Sequence, residues 1–277
     1  MRFWWSMNEW FLIVGMVVAG FGLRTFEHLW LRKGGAICFL AATYGVALSL
    51  TGSHAAGVVA VAAWFFLPWL EILMRIRHLR LPLDKPLRSA FPPSFDRFPQ
   101  LEEMTEEIQE EGFKQVDDTS FEWEGSRQFM RIFHHEDERT QAVISLLEQG
   151  SLALTWVSLS SRLPDGRTWT TWNYPFSHTM MLAPETCLNS VLDADSFVGL
   201  LAAHHELLAL SGLVTEDLVA TEPEGFPELI QRETRRQIDH NLDRGLITLS
   251  GEGTFRYSFR GYLFLWYQFL RDMVRLS

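Results

Sequence analysis

Hydrophobic positions fall into three regimes along this chain. Up to residue 74 they are nearly continuous, between residues 121 and 172 they come in short runs of strand length, and from residue 196 they recur with helical period. From Trp4 to Leu23 only Glu9 is charged, and no formal charge occurs between Lys33 and Glu71. A membrane crossing takes about 20 apolar residues. The second run is too long for one crossing, and the turn formers Thr51-Gly52-Ser53-His54 divide it. The pattern predicts three spans, at 4–23, 35–50 and 55–74, within a membrane domain of residues 1–80. Gly15, Gly20 and Gly22 on the first span are candidates for close helix approach.

Beyond the membrane domain the pattern predicts an α+β fold. Residues 81–98 read as a proline-rich extended spacer. A cytoplasmic domain at 99–213 opens with a helix that starts at Pro99 and ends near Gly112. An antiparallel sheet of about five strands follows, from Phe121 and Trp123 to Thr168–Trp172, with Pro164-Asp165-Gly166 as its clearest turn. A helix is expected at 196–210. Residues 214–277 form a helix–hairpin–helix unit with the element order of a winged helix, ending in a very apolar helix at 260–276. On that last helix Gln268, Arg271, Asp272 and Arg275 make a narrow polar strip, so it must be buried, partner-bound or membrane-associated.

Charge then fixes orientation and excludes one class of partner. Arg24, Arg32 and Lys33 follow the first span, and Arg75, Arg77, Arg80, Lys85 and Arg88 follow the third. The positive-inside rule places the N-terminus outside and everything past Arg75 in the cytoplasm. Residues 1–80 carry 7 basic and 3 acidic groups, whereas residues 81–277 carry 17 and 31, a net of −14. Nucleic-acid phosphates need a basic surface, so nucleic acid is excluded as a partner. Two cysteines, Cys38 and Cys187, provide neither a disulfide framework nor a zinc cluster.

Candidate chemistry is sparse. His134, His135, Glu136 and Asp137 form the densest set of metal-ligand types, yet adjacent strand residues point to opposite faces. His204 and His205 lack the His-Glu-x-x-His spacing that brings two imidazoles to one ion beside a base. His204 shares a face with Phe197, Leu200, Leu201 and Leu208, the position of a core histidine. His178 with Ser177, Thr179 and Asp193 could supply a nucleophile and base, but no serine sits in a nucleophile elbow. Trp156, Trp169 and Trp172 are candidates for an aromatic pocket. Neither phosphate-binding glycine motif is present. No metal and no cofactor is expected.

The segments PDGRTWTTWN within Leu154–Asn173, SFVGLLAAHHELL at 196–208 and TFRYSFRGYLFLW at 254–266 resemble uncharacterised bacterial membrane-anchored proteins. That resemblance carries no assigned activity and implies a bacterial inner (cytoplasmic) membrane location. The expected role is a non-enzymatic accessory, scaffold or sensor subunit, with the lipid bilayer and other membrane subunits, or a second copy, as partners. The alternative is a membrane-anchored metal-dependent hydrolase built on the histidine clusters.

Overall fold

A computed structural model describes residues 7–26, 28–222 and 225–276, so Trp4 and Trp5 at the start of the first expected span lie outside the described residues. The chain divides into two compact units, one of Met1–Leu79 with Tyr262–Ser277 and one of Arg80–Gly261. Its architecture is mixed α and β, with seven α-helices and two sheets among the described residues.

The first unit begins with α1 (Met7–Arg24), α2 (Leu29–Thr51) and α3 (His54–Arg75). Two stretches, Trp30–Thr51 and His54–His78, are long and apolar enough to cross a membrane, and Trp10–Arg24 is a shorter apolar helix. The expectation of three span-length helices is therefore met by two. Helix α2 also starts six residues before the expected Gly35, taking Arg32 and Lys33 into its first turns. Long basic side chains tolerate this because their charged ends reach water while their stems lie on apolar surface. The Lys33 ammonium lies 5.6 Å from the Trp30 ring centre.

Close approach of α1 and α2 depends on two glycines. A Cβ on Gly35 would lie 2.8 Å from the Gly20 carbonyl oxygen, and one on Gly20 would lie 3.2 Å from that of Gly35. Gly15 and Gly22 face open space, so only Gly20 of the three expected contact glycines is used. Edge-on packing of Phe21 against Phe39 at 5.0 Å continues the contact. Helix α3 runs through Pro68 without interruption.

The second unit is built on one seven-stranded sheet. The very short β1 (Leu81–Pro82) and β2 (Arg88–Ser89) precede α4 (Leu101–Glu110), and then come β3 (Lys114–Trp123), β4 (Ser126–His135), β5 (Thr140–Gln149), β6 (Leu152–Arg162), β7 (Thr168–Trp172) and β8 (Thr186–Ser190). Strands β2 to β8 lie in sequence order. The expected five-strand antiparallel sheet is corrected twice: β2 extends one edge from inside the proline-rich segment, and β8 extends the other, parallel to β7. Parallel pairing requires a crossover, and here the loop between Asn173 and Glu185 supplies it.

Helices cover both faces of the sheet. On one face α4 and α5 (Phe197–Leu210) place Leu101, Ile108, Phe197 and Leu200 over Phe129, Phe133, Ile144 and Leu159. On the other, α6 (Phe226–Asp243) sets Phe226, Leu229 and Ile230 over Met130, Ile132 and Val143. Double coverage explains why the centres of β4 and β5 are buried on both faces and read as mostly apolar rather than alternating, with Arg131 and Ser145 the polar exceptions. A second, three-stranded sheet pairs β1 with the hairpin of β9 (Ile247–Leu249) and β10 (Thr254–Tyr257), in the order β1-β10-β9. Helix α7 (Phe259–Leu276) closes the chain.

Candidate functional site

A cavity of about 470 Å³ lies on the α6 face of the large sheet, wholly within the Arg80–Gly261 unit. Its floor follows from strand alternation. Thr168, Thr170 and Trp172 are every second residue of β7 and share one face, beside Trp156 of β6 and Thr186 and Leu188 of β8. The crossover loop forms one wall with Tyr174, Ser177, His178 and Thr179, and α6 forms the other with Glu233, Arg236, Gln237 and Ile238. Lys85 and Gln128 also line the cavity, with Met180 and Leu182 of the loop.

Polar side chains one turn apart on α6 hold the loop in place. Gln237 accepts from the Ala183 N–H at 2.9 Å and donates to the Met181 carbonyl. Asn241, fully buried, accepts from the Met181 N–H at 2.9 Å and donates to the Met181 and Gln237 carbonyls, each at 2.8 Å. Glu233 receives Arg162 Nε at 2.6 Å and Nη2 at 3.0 Å, and the Thr168 hydroxyl at 3.2 Å. Its charge is thereby compensated before any ligand is considered.

The aromatic lining differs from the expected trio. Trp156 and Trp172 do flank the cavity, and both pack on Tyr174, at 5.1 and 5.2 Å between ring centres. Trp169 points to the opposite face, where it packs with Leu163, Leu208 and Leu218 and donates to the Ser211 hydroxyl at 2.9 Å. Odd and even positions of one strand cannot share a pocket, so Tyr174 occupies the place expected for Trp169. The Trp172 indole N–H is buried without a partner among the described residues. Lys85 is half-buried with the Phe121 ring 5.9 Å away, and desolvation holds its ammonium below the usual lysine pKa. Ser177, His178 and Thr179 border the cavity, whereas the exposed Asp193 does not, which separates the members of the expected nucleophile–base set.

The remaining histidines have distinct settings. His204 is fully buried on α5, with Nε2 3.0 Å from Ser161 Oγ and Nδ1 3.0 Å from Thr171 Oγ1. The hydroxyls fix the tautomer. Thr140 donates to the Glu138 carbonyl, so Ser161 must donate to Thr140 and accept from His204 Nε2–H, leaving Nδ1 to accept from Thr171. This neutral chain is saturated, and burial lowers the His204 pKa to about 4. His205 is exposed and pairs with Glu138 at 3.1 Å. His134 and His135 turn to opposite faces, against Phe226 and Phe113 respectively. Burial is also the main cause lowering the pKa of His134. Glu136 pairs with Lys114 at 3.7 Å, and Asp137 is exposed. Among the described residues no group of three or more His, Cys, Asp and Glu is placed to hold one metal ion.

Sequence reasoning missed Lys85, Glu233, Gln237 and Asn241. The last three recur every fourth residue on α6 and mark one polar stripe, of which Asn241 is fully buried. Lys85 lies in an aperiodic segment that gives no such signal. Arg235, also on α6, pairs with Asp239 at 3.0 Å and reaches Asp84 at 2.8 Å. No family model, characterised protein or solved structure matches the chain.

Proposed function

We propose that this chain is an integral membrane protein of a bacterial inner membrane, carrying its Arg80–Gly261 unit on the cytoplasmic side and acting as a non-enzymatic accessory, scaffold or sensor subunit of a membrane complex. The observation that carries this reading is an inverted distribution of polarity in the unit formed by Met1–Leu79 and Tyr262–Ser277. Val58, Val59, Phe66, Leu67 and Leu70 of α3 are all more than half exposed. On α7 two members of the expected polar strip, Gln268 and Asp272, are buried although Arg271 is exposed, while the apolar Leu263, Tyr267 and Val274 face out. In water this arrangement is unfavourable, and against lipid it is the stable one.

Helix α7 packs on α3 through one tryptophan. Trp266 donates from Nε1 to the Phe65 carbonyl at 2.9 Å, stacks on Phe66 and meets Trp69 edge-on, each ring pair at 6.1 Å. A helix so attached to a span-length partner shares that partner's surroundings. On this reading α1 is a third crossing: its 18 residues extend about 27 Å at 1.5 Å per residue, close to a hydrocarbon core of about 30 Å. Arginine and lysine placement then sets the N-terminus outside. The outward apolar faces of α1 and α7 are the surfaces available to a partner subunit or a second copy.

Purification of tagged protein from its host in mild detergent, with mass spectrometry of co-eluting chains and metals, tests the subunit role. A stoichiometric partner or a defined homo-oligomer is the expected result. A lone chain carrying stoichiometric zinc or iron would contradict it and favour a hydrolase.

A further inference from the structure

The cavity on the α6 face has features that neither the membrane unit nor the packing of the domain requires. Its volume of about 470 Å³ falls in the range of sites that enclose small organic molecules, about 300–1,000 Å³. Trp156, Trp172 and Tyr174 offer ring faces and edges for stacking.

The charges of the lining are unequal. Its one acidic residue, Glu233, is neutralised by two hydrogen bonds from Arg162. Lys85 and Arg236 have no carboxylate partner among the described residues: Lys85 lies near the Phe121 ring, and Arg236 donates to the Gly166 carbonyl at 2.9 Å. Two cations therefore remain to meet an anion beside aromatic walls.

We infer that this cavity is a binding site for a small aromatic carboxylate, its ring held among Trp156, Trp172 and Tyr174 and its charge answered by Lys85 and Arg236. The lining supplies complementary groups for both halves of such a molecule. An uncharged ring would leave the cations unanswered, and an aliphatic acid would leave the aromatic walls unfilled. The inference does not depend on the membrane reading, because every lining residue lies within Arg80–Gly261.

Isothermal titration of the full chain in non-ionic detergent, with detergent-only titrations subtracted, tests the site using 2-naphthoate, 2-naphthamide and cyclohexanecarboxylate. The expected result is saturable one-to-one binding of 2-naphthoate, with the two controls at least tenfold weaker. Lys85→Gln and Arg236→Gln should each weaken 2-naphthoate at least fivefold while leaving 2-naphthamide unchanged. Thr170→Trp, which fills the floor, should abolish binding. Far-ultraviolet circular dichroism and thermal unfolding identify any variant that fails to fold. Should one fail, the two ligand controls on the unaltered chain still decide the question. Three results would overturn the inference: no saturable binding of 2-naphthoate at millimolar concentration, equal binding of its amide, or undiminished binding by a folded Thr170→Trp chain.

Discussion

At the scale of single residues, His204 and Arg131 are buried polar groups of the second unit answered by partners within the fold. His204 is the sharpest case. Its folded pKa of about 4 lies below the ordinary value of 6.5, so between those values the unfolded chain binds more protons than the folded one. Stability is then fully present above about pH 6.5 and lost as pH falls toward 4, by about 3 kcal/mol in all. Unfolding at pH 7 and pH 4.5 should reveal this loss, and His204→Gln should remove that component of the pH dependence. An equal pH dependence in both chains would show that the imidazole is not the titrating group. Arg131 gives a second test. It donates from Nε and Nη2 to the two Asp118 oxygens at 2.9 Å each, and from Nη1 to the Thr105 hydroxyl at 3.0 Å. Arg131→Met should cost about 3–5 kcal/mol because Asp118 is left charged and nearly buried. Arg131→Met with Asp118→Leu should recover much of that loss in denaturant unfolding.

At the scale of elements, α6 both covers the sheet and fixes the crossover loop. Asn241→Leu removes three hydrogen bonds at a fully buried position and strands the Met181 N–H, while the Met181 carbonyl keeps its Gln237 donor. A loss of about 2–4 kcal/mol is expected in thermal or denaturant unfolding, with increased protease cutting between residues 174 and 185. Unchanged cutting would mean that the loop is held by other contacts. Elements with a strong period were legible in the sequence: β4 to β7, α4 and α5 were expected near their observed positions, but of β3 only its Phe121–Trp123 end. Strands β2 and β8 were not, for two physical reasons. Arg88–Ser89 is too short to show any alternation, and Thr186–Ser190 is a half-buried edge whose pairing depends on a distant strand. His204 was legible as a core residue from its shared face with Phe197 and Leu200, but the hydroxyl chain that saturates it spans three strands and could not be read locally. The cavity was half legible. Trp156 and Trp172 were named, whereas Tyr174, Lys85 and Glu233 come from a loop, an aperiodic segment and a helix that only the tertiary fold brings together.

At the scale of the whole molecule, the central claim concerns where each unit resides. Outward apolar side chains on α3 and α7, buried polar ones on α7 and the excess of basic groups flanking the spans are all accounted for by a bilayer around the first unit. The chain's own thiols provide the most direct measurement. Cys187 is exposed in the second unit and Cys38 lies on α2, so a Cys38→Ser chain has a single reporter on the domain. Spheroplasts expressing that chain would be treated with a membrane-impermeant maleimide before and after permeabilisation, and the membranes then washed at alkaline pH. The account expects the chain to stay in the washed membranes and Cys187 to react only after permeabilisation. Release of the chain by the wash, or reaction of Cys187 in intact spheroplasts, would contradict it.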